Sequence, residues 1–197
     1  MKVRSVHRII GIILLLPFFG WAITGFIFFI KPGYSAAYES LSPKTYPLDS
    51  VMIASDTTWK EFRYFRTILG GHLIVRTDSG WVHLDPATRK PRIKPNETEI
   101  KQLLADAFTV NPLRYGEVSS ISEQTIKTNT DIEVQLDWNR VSLYQKGKDT
   151  DRIDWFYKIH YLQWTGIKSV DKVVGVVGLI LVMVLAGLGA WLTVKRK

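Results

Sequence analysis

The sequence predicts a membrane α+β protein, in which two transmembrane helices flank a small domain of antiparallel strands and helices. Three observations predict it. An uncharged apolar run lies near each end of the 197-residue chain; every acidic residue falls between those runs; and the hydrophobic spacing in the middle switches between helical and alternating periods.

The runs Ile9–Ile30 and Val173–Val194 carry no charged residue. At about 1.5 Å per residue each makes a helix of roughly 33 Å, enough to cross a bilayer core with slight tilt. Lys2, Arg4 and Arg8 precede the first run, and Lys195, Arg196 and Lys197 follow the second. The segment between them mixes basic residues with all the Asp and Glu and is close to neutral. The positive-inside rule therefore assigns residues 1–8 and 195–197 to the cytoplasm and residues 31–172 to the opposite, non-cytoplasmic side of the membrane. The sequence pI near 9.6 is accounted for by these flanks, so no nucleic-acid partner is expected. The first run exceeds the about 7–15 apolar residues of a cleaved signal, and no A-x-A site follows, so it is expected to remain as an anchor. The absence of cysteine excludes disulfides, thiol catalysis and thiolate ligands in this chain.

Gly11, Gly20 and Gly25 in the first span, and Gly175, Gly178, Gly187 and Gly189 in the second, leave room for close helix packing. Two spans form a thin bundle, so a homodimer is expected. Pro17 removes one hydrogen bond from the first helix. Residues 31–55, rich in Pro, Ser and Tyr, read as a linker near the membrane surface. Asp56 or Thr57 is placed to cap a short helix through Arg66, with Trp59, Phe62, Phe65 and Ile68 as its stripe and Gly70-Gly71 as its stop. A hairpin follows: His72–Thr77, a turn at Asp78-Ser79-Gly80, then Trp81–Asp85. Asn96 and Glu99 form a capping box ahead of Ile100, Leu103, Leu104, Ala107 and Phe108 at core-facing spacing. Ile132, Val134, Leu136 and Trp138 alternate as a half-buried strand, with Val141 and Leu143 on its neighbour.

Three stretches carry a resemblance. The first is His7-Arg8-Ile9-Ile10-Gly11 entering the first span, with Trp21 and Thr24-Gly25 near its far end. The second is Gly80-Trp81-Val82-His83-Leu84-Asp85-Pro86-Ala87-Thr88. The third is Trp155-Phe156-Tyr157-Lys158-Ile159-His160-Tyr161-Leu162-Gln163-Trp164-Thr165-Gly166, leading into the second span. In this order they resemble the PepSY-associated transmembrane family, with Arg89 standing where the Asp-Pro-x-Thr turn usually has Gly. The resemblance implies a periplasmic PepSY-like domain. It also implies b-type haem as electron carrier and transmembrane electron delivery to periplasmic ferric iron or a ferric chelate.

An axial haem ligand is an imidazole nitrogen, and His7 and His160 flank the two spans at opposite edges. Helical spacing sets His160 on a face with Ile153, Phe156, Tyr157 and Trp164, a flat aromatic lining suited to a porphyrin. His7 and His160 are too far apart to share one haem, so a dimer would pair His7 with His7 and His160 with His160. The same residues also suit plainer roles: His7 among cations can contact anionic headgroups, and His160 can belong to an interfacial aromatic belt. His72 and His83, on the hairpin, are not expected to face each other. No nucleophile triad, phosphate loop or dinucleotide fingerprint occurs, so an electron donor must be sought in another molecule. The competing expectation is a non-enzymatic membrane-anchored PepSY-like module that binds a periplasmic partner.

Overall fold

The computed structural model describes residues 3–48, 53, 56–122 and 125–195. Residues 49–52, 54 and 55 of the linker, Lys2 of the first tail, and Arg196 and Lys197 of the last lie outside the described residues. The elements run α1 (Val3–Ile30), α2 (Tyr34–Ala37), β1 (Glu61–Thr67), β2 (Gly70–Thr77), β3 (Gly80–Leu84), α3 (Glu97–Phe108) and α4 (Pro112–Tyr115). They continue with β4 (Val118–Ile121), β5 (Ile126–Thr128), β6 (Glu133–Asp137), β7 (Ser142–Lys146), α5 (Lys148–His160) and α6 (Lys168–Val194). The chain divides into two compact units, Met1–Tyr34 with Asp149–Lys197, and Ser35–Lys148. The segment 149–172, grouped with the central domain on sequence, thus packs with the long helices.

In the first unit, α1 and α6 are long and apolar enough to cross a membrane. Few side chains along them are fully buried: among the described residues only Leu14 and Thr24 of α1 and Asp171 and Gly178 of α6 are, and most of the large apolar ones are exposed. A soluble protein does not leave two such surfaces in water, whereas a bilayer solvates them. The two helices pack on each other through glycines, Gly11 beneath Leu185 and Gly189 beneath His7.

The second unit holds two antiparallel sheets, one ordered β1-β2-β3 and the other β4-β5-β6-β7. The capping box forms as expected. The Asn96 side chain accepts from the Glu99 N–H, and the Asn96 N–H donates to the Glu99 carboxylate at 2.8 Å. Leu104, Ala107 and Phe108 of α3 bury against Ile126, Val134 and Leu143 of the second sheet and Ile132 just ahead of β6, with Tyr115 and Leu41 completing the cluster. At about 1.5–3 kcal/mol per fully buried aliphatic side chain, this stripe outweighs the cap, which contributes about 1 kcal/mol.

Four expectations are corrected. The segment expected to form a helix to Arg66 is β1, pairing Phe62 with Val75 and Phe65 with His72. Phe62 lies exposed while Phe65, on the other face, is half-buried against His72, and β pairing overrides the helical spacing. Asp56 instead closes a turn, accepting from the Thr58 N–H and hydroxyl at 2.8 Å. The linker is part of the fold: Leu41 is buried, Gln145 donates to the Ala37 and Glu39 carbonyls, and Tyr46 donates to Asp106. The β2–β3 turn has two residues, because Thr77 pairs with Gly80, whose φ of 121° suits glycine. The short polar strands β4 and β5, unread in the sequence, widen the second sheet.

The Asp85-Pro86-Ala87-Thr88 turn is complete. The Asp85 carboxylate accepts from the Thr88 N–H and hydroxyl and the Ala87 N–H, which holds it below the usual carboxylate range. Arg89 closes the turn at φ 55°, a left-handed conformation that costs a non-glycine residue about 1 kcal/mol. Arg89→Gly is therefore expected to raise stability by about 0.5–1 kcal/mol, offset in part by glycine's unfolded-state entropy. Denaturant unfolding of the two proteins side by side checks this.

Candidate functional site

His160 is the last residue of α5, and the way α5 ends fixes where its imidazole goes. The Gln163 N–H bonds the Lys158 carbonyl at 2.8 Å and the Leu162 N–H bonds the Ile159 carbonyl at 3.2 Å. This is a Schellman ending with Leu162 in the left-handed position, at φ 56°, where glycine is usual. The strain persists because the Leu162 side chain is buried: a Cβ on Gly178 of α6 would lie 2.8 Å from Leu162 Cδ1. On the other side, Trp21 of α1 donates its indole N–H to the His160 carbonyl at 2.6 Å.

The His160 ring is held by α1 as well. Thr24 Oγ1 lies 2.8 Å from His160 Nδ1 and 2.6 Å from the Gly20 carbonyl. A carbonyl only accepts, so the threonine hydrogen goes to Gly20 and its oxygen receives Nδ1–H from His160. In the neutral form of the ring the lone pair is therefore on Nε2, which meets no hydrogen-bonding group among the described residues. Phe28 meets the ring edge-on at 5.1 Å and stacks on Tyr157 at 4.6 Å. The result is a tautomer-fixed imidazole in an aromatic setting, with one nitrogen available as a ligand.

The other expected site residues divide. Phe156 and Trp164 wall an apolar groove of about 380 Å³ together with Leu16, Phe19, Ile23 and Ile159, and His160 is not part of that wall. Trp164 lies beyond the end of α5, so helical spacing does not govern it; Ile153 is buried. His7 sits half-buried on α1, its Cε1 3.4 Å from where a Gly189 Cβ would be, and its buried Nδ1 has no hydrogen-bond partner among the described residues. His7 and Thr24 are seventeen positions apart on α1, about 25 Å of helix, so the two imidazoles stand at opposite ends of the helix pair. Thr24, Trp21 and Phe28, which hold His160, are missing from the expected set. Trp21 and Thr24 were visible as a motif, but not what they hold.

In the second unit His72 and His83 do face each other, with Nδ1 of His72 3.0 Å from Nε2 of His83, and both are buried. The correction follows from the turn. With two turn residues, His83 pairs with Ile74 and lies diagonal to His72 on one face. A three-residue turn would slip the register by one and send His83 to the other side. Among the described residues no group of three or more His, Cys, Asp or Glu could hold a metal ion.

No family model, no curated protein and no solved structure matches the chain.

The seat of Leu162 on Gly178 gives a direct test. Gly178→Ala is expected to destabilise the helix unit by about 1–3 kcal/mol through overpacking, read as a lower unfolding temperature in detergent. Gly187→Ala, which meets nothing within 4 Å, serves as the silent control.

Proposed function

We propose that this chain is an inner-membrane electron carrier that binds b-type haem through His160 and promotes reduction of periplasmic ferric iron or a ferric chelate, making it a haem-dependent ferric reductase. The observation that carries the reading is the His160 ring, held by Thr24 in the tautomer whose Nε2 is unprotonated, as an axial ligand must be. His7, whose buried Nδ1 meets no hydrogen-bonding group among the described residues, offers a second imidazole at the far end of the helix pair. Each end supplies one such histidine, so paired imidazole ligation calls for a homodimer. In this reading the termini are cytoplasmic and the Ser35–Lys148 unit is a periplasmic PepSY-like domain.

Bound haem supplies a one-electron carrier that cycles between ferric and ferrous states. The chain's own residues do the positioning. Thr24 keeps the His160 lone pair on Nε2, and Trp21 fixes the main chain beneath it. Phe28 packs edge-on against the ring and stacks on Tyr157, which limits how the imidazole can turn, and electrons arrive from a separate donor.

A second reading, a membrane-anchored module that holds a periplasmic partner, is favoured by one feature of the second unit. A groove of about 680 Å³ is floored by Phe65, Ile74 and Val141, with Arg63 and Arg140 both over the Trp81 ring.

Absorption spectra of the detergent-purified protein, oxidised and then dithionite-reduced, separate the two. Sharp reduced b-type bands are expected, lost in His160→Ala, with haem affinity weakened about 10–100-fold in Thr24→Val. Colourless protein from haem-replete cells would leave the anchored module, whose partner binding should then fail in Trp81→Ala and survive both histidine substitutions.

A further inference from the structure

The two buried histidines of the second unit are unused by the proposed electron transfer, and their hydrogen bonds run in one direction only. The Trp138 carbonyl, 2.9 Å from His83 Nδ1, can only accept, so His83 carries its hydrogen on Nδ1. Its Nε2 is then a lone pair, and His72 Nδ1, 3.0 Å away, must donate to it. His72 Nε2 in turn accepts from the Thr67 hydroxyl at 2.7 Å, and Thr67 Oγ1 accepts from the Leu69 N–H at 3.1 Å. Each link uses one hydrogen and one lone pair, and the chain closes only if both rings are neutral.

This chain joins the two sheets. Thr67, His72 and His83 belong to β1, β2 and β3, and Trp138 begins the turn after β6. The Trp138 ring lies edge-on to His72 at 5.7 Å and tilted over His83 at 4.5 Å, while its indole N–H donates to the Ile93 carbonyl. The same turn holds Val141 at φ 49°, a conformation that a β-branched residue rarely adopts; the side chain is buried with Ile74 and Trp138. A strained turn is thus kept in place by the sheet it packs on.

We propose that the His72–His83 pair is an acid-sensitive latch between the two sheets, released when either ring takes up a proton. A proton on His83 Nε2 would set two N–H donors against each other at 3.0 Å. A proton on His72 Nε2 could be received by Thr67 only if its hydroxyl turned away, leaving a cation on a side chain with no exposed surface.

The surroundings give that cation no help. Among the described residues no carboxylate bonds either ring. Phe65 of β1 stacks on His72, and the cation acting on both imidazoles is Arg92, which donates to the Leu69 and Gly71 carbonyls. Asp85 and Glu99 act on Arg92 itself, and Arg63 and Arg140 are stacked on Trp81. Burial first, then Arg92, pushes His72 down to about 3; burial also pushes His83 down to about 4, against the opposing bond to Trp138. The unfolded rings titrate near 6.5. The stabilisation is therefore complete above about pH 6.5 and is lost as pH falls toward the folded values.

The test uses the full-length chain in detergent micelles with ¹⁵N-labelled histidine. The ring-nitrogen spectra of His72 and His83, assigned by single substitutions, should show two neutral Nδ1–H rings persisting below pH 6. Denaturant unfolding should show the unfolding constant rising about ten- to a hundredfold between pH 6 and pH 5 beyond the rise in the His72→Phe/His83→Phe double variant. Rings that titrate near 6.5, Nε2–H tautomers, or equal acid sensitivity in a folded double variant would overturn the latch. If the double variant does not fold, the wild-type ring titration decides alone, and neither measurement depends on haem.

Discussion

A buried carbonyl oxygen can only accept a hydrogen bond, and in the central unit the Trp138 carbonyl sets the position of every proton around it. From that single constraint follow the tautomer of His83, then that of His72, then the direction of the Thr67 hydroxyl. The face on which these groups meet is the one by which the first sheet joins the second, through Ile74, Trp138 and Val141. A polar chain costs stability in a core unless every member is satisfied. Here each member is, which is why two histidines can sit between two sheets where aliphatic side chains would be expected.

The helix unit repeats the same logic with different atoms. The Gly20 carbonyl takes the Thr24 hydrogen, so Thr24 can only accept from His160. In both units a main-chain carbonyl dictates a histidine tautomer at one remove. The outcomes differ: in the sheets the lone pairs are consumed within the chain of bonds, whereas at His160 one remains. That difference, and not the presence of histidine, separates a ligand candidate from a structural pair.

Much of this was legible in the sequence. The uncharged runs, the Asn96–Glu99 box, the α3 stripe and the alternation through β6 each carry a strong local signal, and each was found where it was read. β1 was misread because the spacing of Phe62 and Phe65 satisfies a helical stripe, while both residues in fact pair with β2, and only the partner strand decides. The His72–His83 meeting hung on whether Gly80 belonged to the turn or to the strand, a single residue that inverts the face of everything after it. β4 and β5 were invisible for another reason: Ser119, Ser120 and Lys127 are exposed strand positions with no periodic apolar signal. At the helix unit the aromatic cluster around His160 was legible, but its division between a groove wall and a ring clamp was not. That division depends on where α5 stops, and α5 stops with a leucine in a glycine's conformation.

The Trp21 bond has one more consequence. It grips the carbonyl of residue 160 and not its side chain, while Leu162 two residues on anchors the segment by its own burial. The main chain at 160 is thus held without reference to what the residue is. The position behaves as a socket: the scaffold fixes where a side chain emerges and leaves its chemistry to be exchanged. Such an arrangement lets one helix pair be re-equipped in evolution, by a single codon, for a different ligand atom or for none.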